Sequence, residues 1–223
     1  MKPSPVSDVV NGRRVVATYR GLSEDIVRAP LRDGLRCRVV AIDGFSGSGK
    51  SSFARRLARE LDALVVSTDD LLPGWDGLEQ SLELLAEWIL EPLTRGEVAS
   101  WCRFDWDEMR YVEWVRIAHT PCLVVEGCGV GHQRLMKYVS ELVWVSAPES
   151  VRRERLPLRS DWEMYRPFVA MWAEQERLLR ENDDPMTRAD VVVDSGGEES
   201  GTYSETIDLE TEFLARFKHP RRR

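Results

Sequence analysis

Eight consecutive residues carry the plainest chemistry in this chain. Gly44-Phe45-Ser46-Gly47-Ser48-Gly49-Lys50-Ser51 fits the spacing GxxxxGK[ST]. Glycines let the backbone curl until several N–H groups converge on one anion. A helix opening at Lys50 adds the partial positive charge of its N-terminus. In that geometry Lys50 reaches the β- and γ-phosphates of a nucleoside triphosphate, and the Ser51 hydroxyl ligates Mg2+. The expected phosphate-holding set is Gly44, Ser46, Gly47, Ser48, Gly49, Lys50, Ser51 and Ser52. At ordinary glycine usage the pattern arises by accident in roughly one chain in a hundred of this size. A strand before it and an amphipathic helix after it make an accident rarer still.

Acidic residues follow two other apolar runs. Asp69 is the first acid after Ala63-Leu64-Val65-Val66-Ser67, with Asp70 beside it. Phosphoryl transfer to a hydroxyl needs a carboxylate that orients the acceptor and takes its proton, and Asp69 suits that role. Asp70 supports it or acts near the metal. The alternative is a turn or helix cap. Glu126 ends Cys122-Leu123-Val124-Val125 and is expected to hold Mg2+, through water, or to orient the site. Its alternative is a strand-end acid paired with an arginine.

Arg152, Arg153, Arg155 and Arg159 crowd the segment after Pro148. Planar guanidinium groups neutralise the equatorial oxygens of a transferring phosphoryl group. A mobile segment bearing them also excludes water, so residues of about 150–165 read as a lid. A solvated helix face paired with Glu149 and Glu154 is the plainer alternative. Eight tryptophans in 223 residues is a high count. Trp75 and the run Trp101-Cys102-Arg103-Phe104-Asp105-Trp106 could wall a pocket for a ring-bearing or sugar-like molecule, with Arg103 and Asp105 as polar contacts. His119 and His132 have no ligand-spaced partners, which argues against a protein-built metal centre.

Strands and helices must position these groups. Arg38-Val39-Val40-Ala41-Ile42 reads as a strand buried on both faces. Residues 50–61 follow as a helix with Phe53, Ala54, Leu57, Ala58 and Leu61 on one side. Residues 63–67, 121–125, 142–145 and 188–193 supply four more strands, and Leu82, Leu85, Ala86, Ile89, Leu90 and Leu93 a helix ending near Gly96. Alternating strands and helices imply a mostly parallel sheet covered on both faces, with the ligand beyond the strands' carboxyl ends. The expectation is a three-layer α/β/α P-loop fold with a five-stranded central sheet and an Arg-rich lid. Residues 1–36 read as an N-terminal segment with an extra strand or helix. The core spans 37–197 with a substrate segment at 70–118, and 198–223 reads as a C-terminal helix and basic tail.

With 31 Lys plus Arg against 38 Asp plus Glu, the net charge is −7. That balance argues against bulk nucleic-acid binding. No apolar run nears the roughly 18 residues of a membrane span, and Met1-Lys2-Pro3-Ser4-Pro5 lacks the apolar stretch of a secretory signal. Cys37, Cys102, Cys122 and Cys128 form no CxxC pair and read as buried thiols in a reducing cytoplasm.

Residues 40–51 resemble the opening of the uridine kinase-like branch of P-loop kinases. Ser67-Thr68-Asp69-Asp70-Leu71-Leu72 is similar to that family's segment carrying the catalytic Asp, and the resemblance gives Asp69 the base role. Residues 93–98 running into Phe104-Asp105-Trp106 resemble its nucleoside-contacting Tyr-Asp-aromatic segment, with Phe104 where the family usually has Tyr. Val124-Val125-Glu126-Gly127 matches its strand-end Glu-Gly. The stretch from Arg152 resembles its lid, although Arg159-Ser160-Asp161 only approximates the usual Arg-Asp pairing. Pro73, Gly74 and Trp75 also depart from the family, again on the acceptor side.

The resemblance implies an ATP- and Mg2+-dependent kinase acting on a hydroxyl of a small molecule, foremost a nucleoside. Lys50, Asp69, Glu126 and Arg155 form the expected catalytic set. Asp70, Trp75, Arg103, Phe104, Asp105 and Arg159 form the expected acceptor-binding set. A homodimer is a further expectation. The rivals are a kinase for a nucleoside monophosphate, sugar, vitamin precursor or antibiotic, and an ATP-binding regulatory module without catalysis. No [NT]KxD or LSGGQ-like motif is present, which disfavours a GTPase switch or a transporter-type ATPase.

Overall fold

A computed structural model describes residues 15–31, 33–196 and 212–218. Each β-branched run forms a strand, and each amphipathic run packs a helix onto the sheet. In chain order the elements are β1 (Val15–Thr18), α1 (Tyr19–Arg28), β2 (Arg38–Asp43), α2 (Lys50–Glu60), β3 (Leu64–Ser67), α3 (Leu78–Leu84), α4 (Glu91–Arg95), β4 (Ala99–Asp105), β5 (Arg110–Ile117), β6 (Cys122–Glu126), β7 (Glu141–Ser146), α5 (Glu149–Arg155), α6 (Trp162–Tyr165), α7 (Val169–Asn182), α8 (Pro185–Arg188), β8 (Val191–Asp194) and β9 (Glu212–Phe217). A π-helical stretch, Leu85–Leu90, joins α3 to α4. Gly96, at φ +77°, ends that helical run in the left-handed conformation that glycine adopts without strain.

The sheet order is β1-β9-β8-β7-β2-β6-β3. The five expected strands form its parallel part: β3, β6, β2, β7 and β8. The sheet nevertheless has seven strands, not five, because β9 and β1 extend it antiparallel beyond β8. Residues 212–217 therefore form a strand where a helix was expected. The apolar alternation of Phe213, Ala215 and Phe217 suits a half-covered sheet edge. The N-terminal segment holds both a strand and a helix. The expected basic tail beyond Lys218 lies outside the described residues.

Alternation along β2 divides the core. Val39 and Ala41 face a cluster with Leu82, Leu85, Ile89 and Leu93 from the α3–α4 run. Val40 and Ile42 face Leu22 and Ile26 of α1 and Phe53 and Leu57 of α2. This is the three-layer arrangement expected. Each such side chain, fully buried, contributes about 1.5–3 kcal/mol. The register aligns Ile42 and Ser67 with Glu126, so the loops after β2, β3 and β6 emerge side by side at one edge of the sheet. A separate two-stranded hairpin, β4–β5, stands beside them.

Candidate active site

The loop after β2 wraps the N-terminus of α2. Gly47 sits at φ +79°, and a Cβ there would lie 2.7 Å from the Arg152 carbonyl oxygen, so both backbone shape and space demand glycine. Asp43, the last residue of β2, is buried and accepts N–H bonds from Gly44 (2.6 Å), Gly129 (2.9 Å) and Gly131 (2.8 Å). It locks the loop after β6 onto the loop after β2. Burial pushes its pKa up to about 6, against the pull of those three bonds and Lys50.

Lys50 is buried at the start of α2. Burial alone disfavours its charge, but Cys128, Glu126, Asp69 and Glu176 around it hold its pKa above the ordinary lysine value. Ser51 Oγ donates to Glu126 Oε2 at 3.0 Å. Burial raises the Glu126 pKa, and Lys50 opposes the rise. Among the described residues no three His, Cys, Asp or Glu converge as a metal cage. One hydroxyl and one carboxylate nonetheless form a hard-oxygen donor pair. Such a pair suits Mg2+ arriving with phosphate oxygens and water.

Asp69 lies in a single 3-10 turn, Thr68–Asp70, and its own N–H is capped by Ser67 Oγ (3.3 Å). The hairpin holds this turn from the outside: Trp106 Nε1 donates to the Asp69 carbonyl (3.1 Å) and Tyr111 Oη to the Leu71 carbonyl (3.0 Å). Asp69 lines a cavity of about 110 Å3 that also reaches Ser46 and Lys50. Trp75, Trp106, Tyr165 and Trp172 are its aromatic walls. Trp75 stacks on Phe168 (4.7 Å between centroids, 10° between planes) and leans on Trp106 (4.4 Å). Burial pushes the Tyr165 phenol up to about 12, so it stays neutral.

The expected acceptor-binding residues divide. Trp75 and Arg159 line this cavity. Arg159 makes two bonds to Asp161 (2.8 and 2.6 Å) and lies over the Tyr165 ring. Arg103, Phe104, Asp105 and Asp70 do not line it. Strand alternation turns Arg103 outward, where it pairs with Glu113 at 2.9 Å. Asp105 caps the hairpin turn through the N–H groups of Asp107 and Glu108. Phe104 is buried, edge-on to Trp106 and Tyr111. Asp70 is half-buried, which raises its pKa against the pull of Arg103.

The arginines of the expected lid divide as well. Arg155, expected in the catalytic set, donates to Ser195 Oγ (3.2 Å) and to the Ser195 carbonyl (2.6 Å), and Ser195 Oγ donates to the Ser48 carbonyl (2.5 Å). It braces the phosphate loop from outside the cavity. Arg152 donates to the Ser46 carbonyl (3.2 Å) and covers the Phe45 ring. Arg153 pairs with Glu149 on the surface. Sequence reasoning missed Glu176 and Tyr165, while the Arg159–Asp161 pair it noted in the lid stretch does form. A Trp172/Glu176 pair one helical turn apart was the available signal.

A family model described as an AAA domain matches residues 39–95, which include the phosphate loop and Asp69. No curated protein matches the chain. Among solved structures, a possible uridine kinase from Bacillus stearothermophilus is similar at 18% identity and a TM-score of 0.58, over 78% of this chain and 96% of that one. A candidate fructose transport system kinase from Silicibacter sp. TM1040 aligns at 18% identity and a TM-score of 0.49, over 78% of this chain and 93% of that one. Shikimate kinase from Bacteroides thetaiotaomicron aligns at 14% identity and a TM-score of 0.39, over 66% and 84%. The resemblance to uridine kinase-like P-loop kinases read from the sequence holds in the fold: a mostly parallel α/β sheet with the phosphate loop after a central strand. Among the described residues, no helix is long and apolar enough to cross a membrane.

Proposed function

We propose that this protein is a small-molecule kinase that transfers the γ-phosphoryl group of ATP to a hydroxyl of a ring-bearing acceptor, foremost a nucleoside. The observation that carries the reading is the shared cavity. Ser46 and Lys50 of the phosphate loop and the Asp69 carboxylate open into one aromatic-walled space. Donor and acceptor can therefore meet there.

The N–H groups of the loop from Ser46 to Ser52 and the Lys50 ammonium hold the donor phosphates. Ser51 and Glu126 are the residues that would hold Mg2+, which when bound supplies positive charge to the phosphate oxygens. Asp69 accepts the acceptor's hydroxyl proton as the new O–P bond forms and the bond to the leaving β-phosphate oxygen breaks. Arg159 is the lid guanidinium that faces this space, and Asp161 fixes its plane. The tryptophans exclude water, the competing acceptor. Stacking on Trp75 and Trp106 favours an acceptor with a flat face.

The test is acceptor-dependent ADP release with Mg2+, run against nucleosides, sugars and nucleoside monophosphates. A nucleoside that raises ADP release well above the acceptor-free rate supports the reading. A response to sugars alone moves the acceptor class. ATP uptake without release for any acceptor favours a regulatory module.

A further inference from the structure

Glu176 of α7 has no part in the chemistry above, yet it is the most heavily engaged carboxylate near the phosphate loop. It is 7% exposed. Its Oε1 accepts from Ser46 N–H (2.8 Å), Ser46 Oγ (2.8 Å), Cys128 Sγ (3.0 Å) and Trp172 Nε1 (3.1 Å). The preceding residue grips the opposite side of the cavity. Gln175 Nε2 donates to the Trp75 carbonyl (2.7 Å), and Gln175 Oε1 accepts from Leu78 N–H (3.3 Å). Two consecutive side chains of one helix thus hold the donor loop and the acceptor wall.

We propose that Gln175 and Glu176 are a positioning pair that couples occupation of the phosphate loop to the geometry of the aromatic acceptor wall. The inference rests on the reading that this loop takes up a magnesium-bound nucleoside triphosphate. An arriving phosphate and the Glu176 carboxylate are both anions that seek donors at Ser46, the loop residue that also lines the acceptor cavity. Close like charge is costly in a low-dielectric site. The loaded loop therefore draws the Ser46 donors from Glu176 or displaces the carboxylate. Trp172 shares that carboxylate oxygen, so its indole N–H loses or changes its partner at the same time. Because α7 is one hydrogen-bonded rod, Gln175 carries the shift to Trp75. The device would set the acceptor wall only once the donor is in place, which limits wasteful transfer to water.

The coupling is measurable without knowing the acceptor. MgATP is titrated into the full chain while heat uptake and tryptophan emission are followed in parallel. The wild-type chain should give an emission change that tracks the heat, with Trp172→Phe removing one part of it and Trp75→Phe another, the Trp75 part being the one that Gln175 carries. Glu176→Gln keeps an acceptor oxygen but removes the charge. It should still take up MgATP, with affinity altered at least about fivefold, and lose most of the emission change at saturation. Gln175→Ala, which leaves the loop contacts intact, should bind MgATP as the wild type does and show a reduced emission change. It carries the test if Glu176→Gln does not fold. Full wild-type emission change in both folded variants, or in Gln175→Ala alone if only it folds, overturns the coupling while leaving nucleotide binding intact. No heat with the wild-type chain overturns the nucleotide-binding reading and the coupling with it.

Discussion

Lys50 and Asp69 have separable roles under the proposed mechanism, and single substitutions should divide them. Lys50→Ala removes the ammonium that faces the donor phosphates and should lower turnover by about 100-fold or more. The melting temperature should change little, because the loop shape is set by backbone and by Asp43. Asp69→Asn leaves the fold and ATP uptake intact and should lower acceptor phosphorylation by about 100- to 10,000-fold. Full activity in Asp69→Asn would remove that residue from the base role. Asp43 makes a different prediction, about stability and pH. Its folded pKa, about 6, lies above the ordinary 3.8. A group raised on folding stabilises fully below its unfolded pKa and loses that contribution as pH rises through the folded one. The wild type should thus gain stability relative to Asp43→Asn as pH falls from 7 to 4, by up to about 3 kcal/mol. Paired thermal melts across that range check the sign, and a difference that shrinks on acidification contradicts it.

Loops and their neighbours decide which side chains meet. Gly127, at φ +151°, follows Glu126, and a Cβ there would overlap Thr68 Oγ1 at the start of the turn bearing Asp69. Gly127→Ala should therefore destabilise the fold by about 3 kcal/mol, lowering the melting temperature by roughly 6–12 °C. It should also cut activity in the fraction that remains folded, because Asp69 is displaced from Lys50. The segment of residues 149–161 is a second such element. Arg155 and Arg159 lie four residues apart, yet the 3-10 turn Leu156–Leu158 between them separates their directions. Arg159→Ala should reduce turnover by about tenfold or more with nucleotide affinity nearly unchanged. Arg155→Ala should instead loosen the phosphate loop and weaken MgATP uptake. Calorimetry and initial rates on the two variants distinguish these outcomes.

At the scale of the molecule, β1 and β9 bring residues 15–18 and 212–217 together on one side of the sheet, beyond β8. Ala215 of β9 is 1% exposed, opposite Val15 on one side and Val193 on the other. Ala215→Asp would bury an unpaired carboxylate and should cost several kcal/mol, seen as a fall in melting temperature without a change in the site residues. A variant that melts like the wild type would show that this edge contributes little.

The phosphate loop, the five parallel strands and the acids Asp69 and Glu126 were legible from local pattern alone. Loop glycines before Lys50-Ser51, β-branched runs and the first acid after a strand are all encoded within a few neighbouring residues. The acceptor side was legible only at Trp75 and Arg159. Arg103 and Asp105 are polar and close in sequence to Trp106, but a β-bulge between Arg103 and Phe104 and the pleat of β4 turn them away from the cavity. Tyr165 and Trp172 enter it from helices more than a hundred residues downstream of Ser46. Chain-local pattern determines which element forms and which face it hides. Which side chains from distant elements share one cavity depends on how the helices after the lid pack across the ends of the strands, and only the tertiary structure decides that.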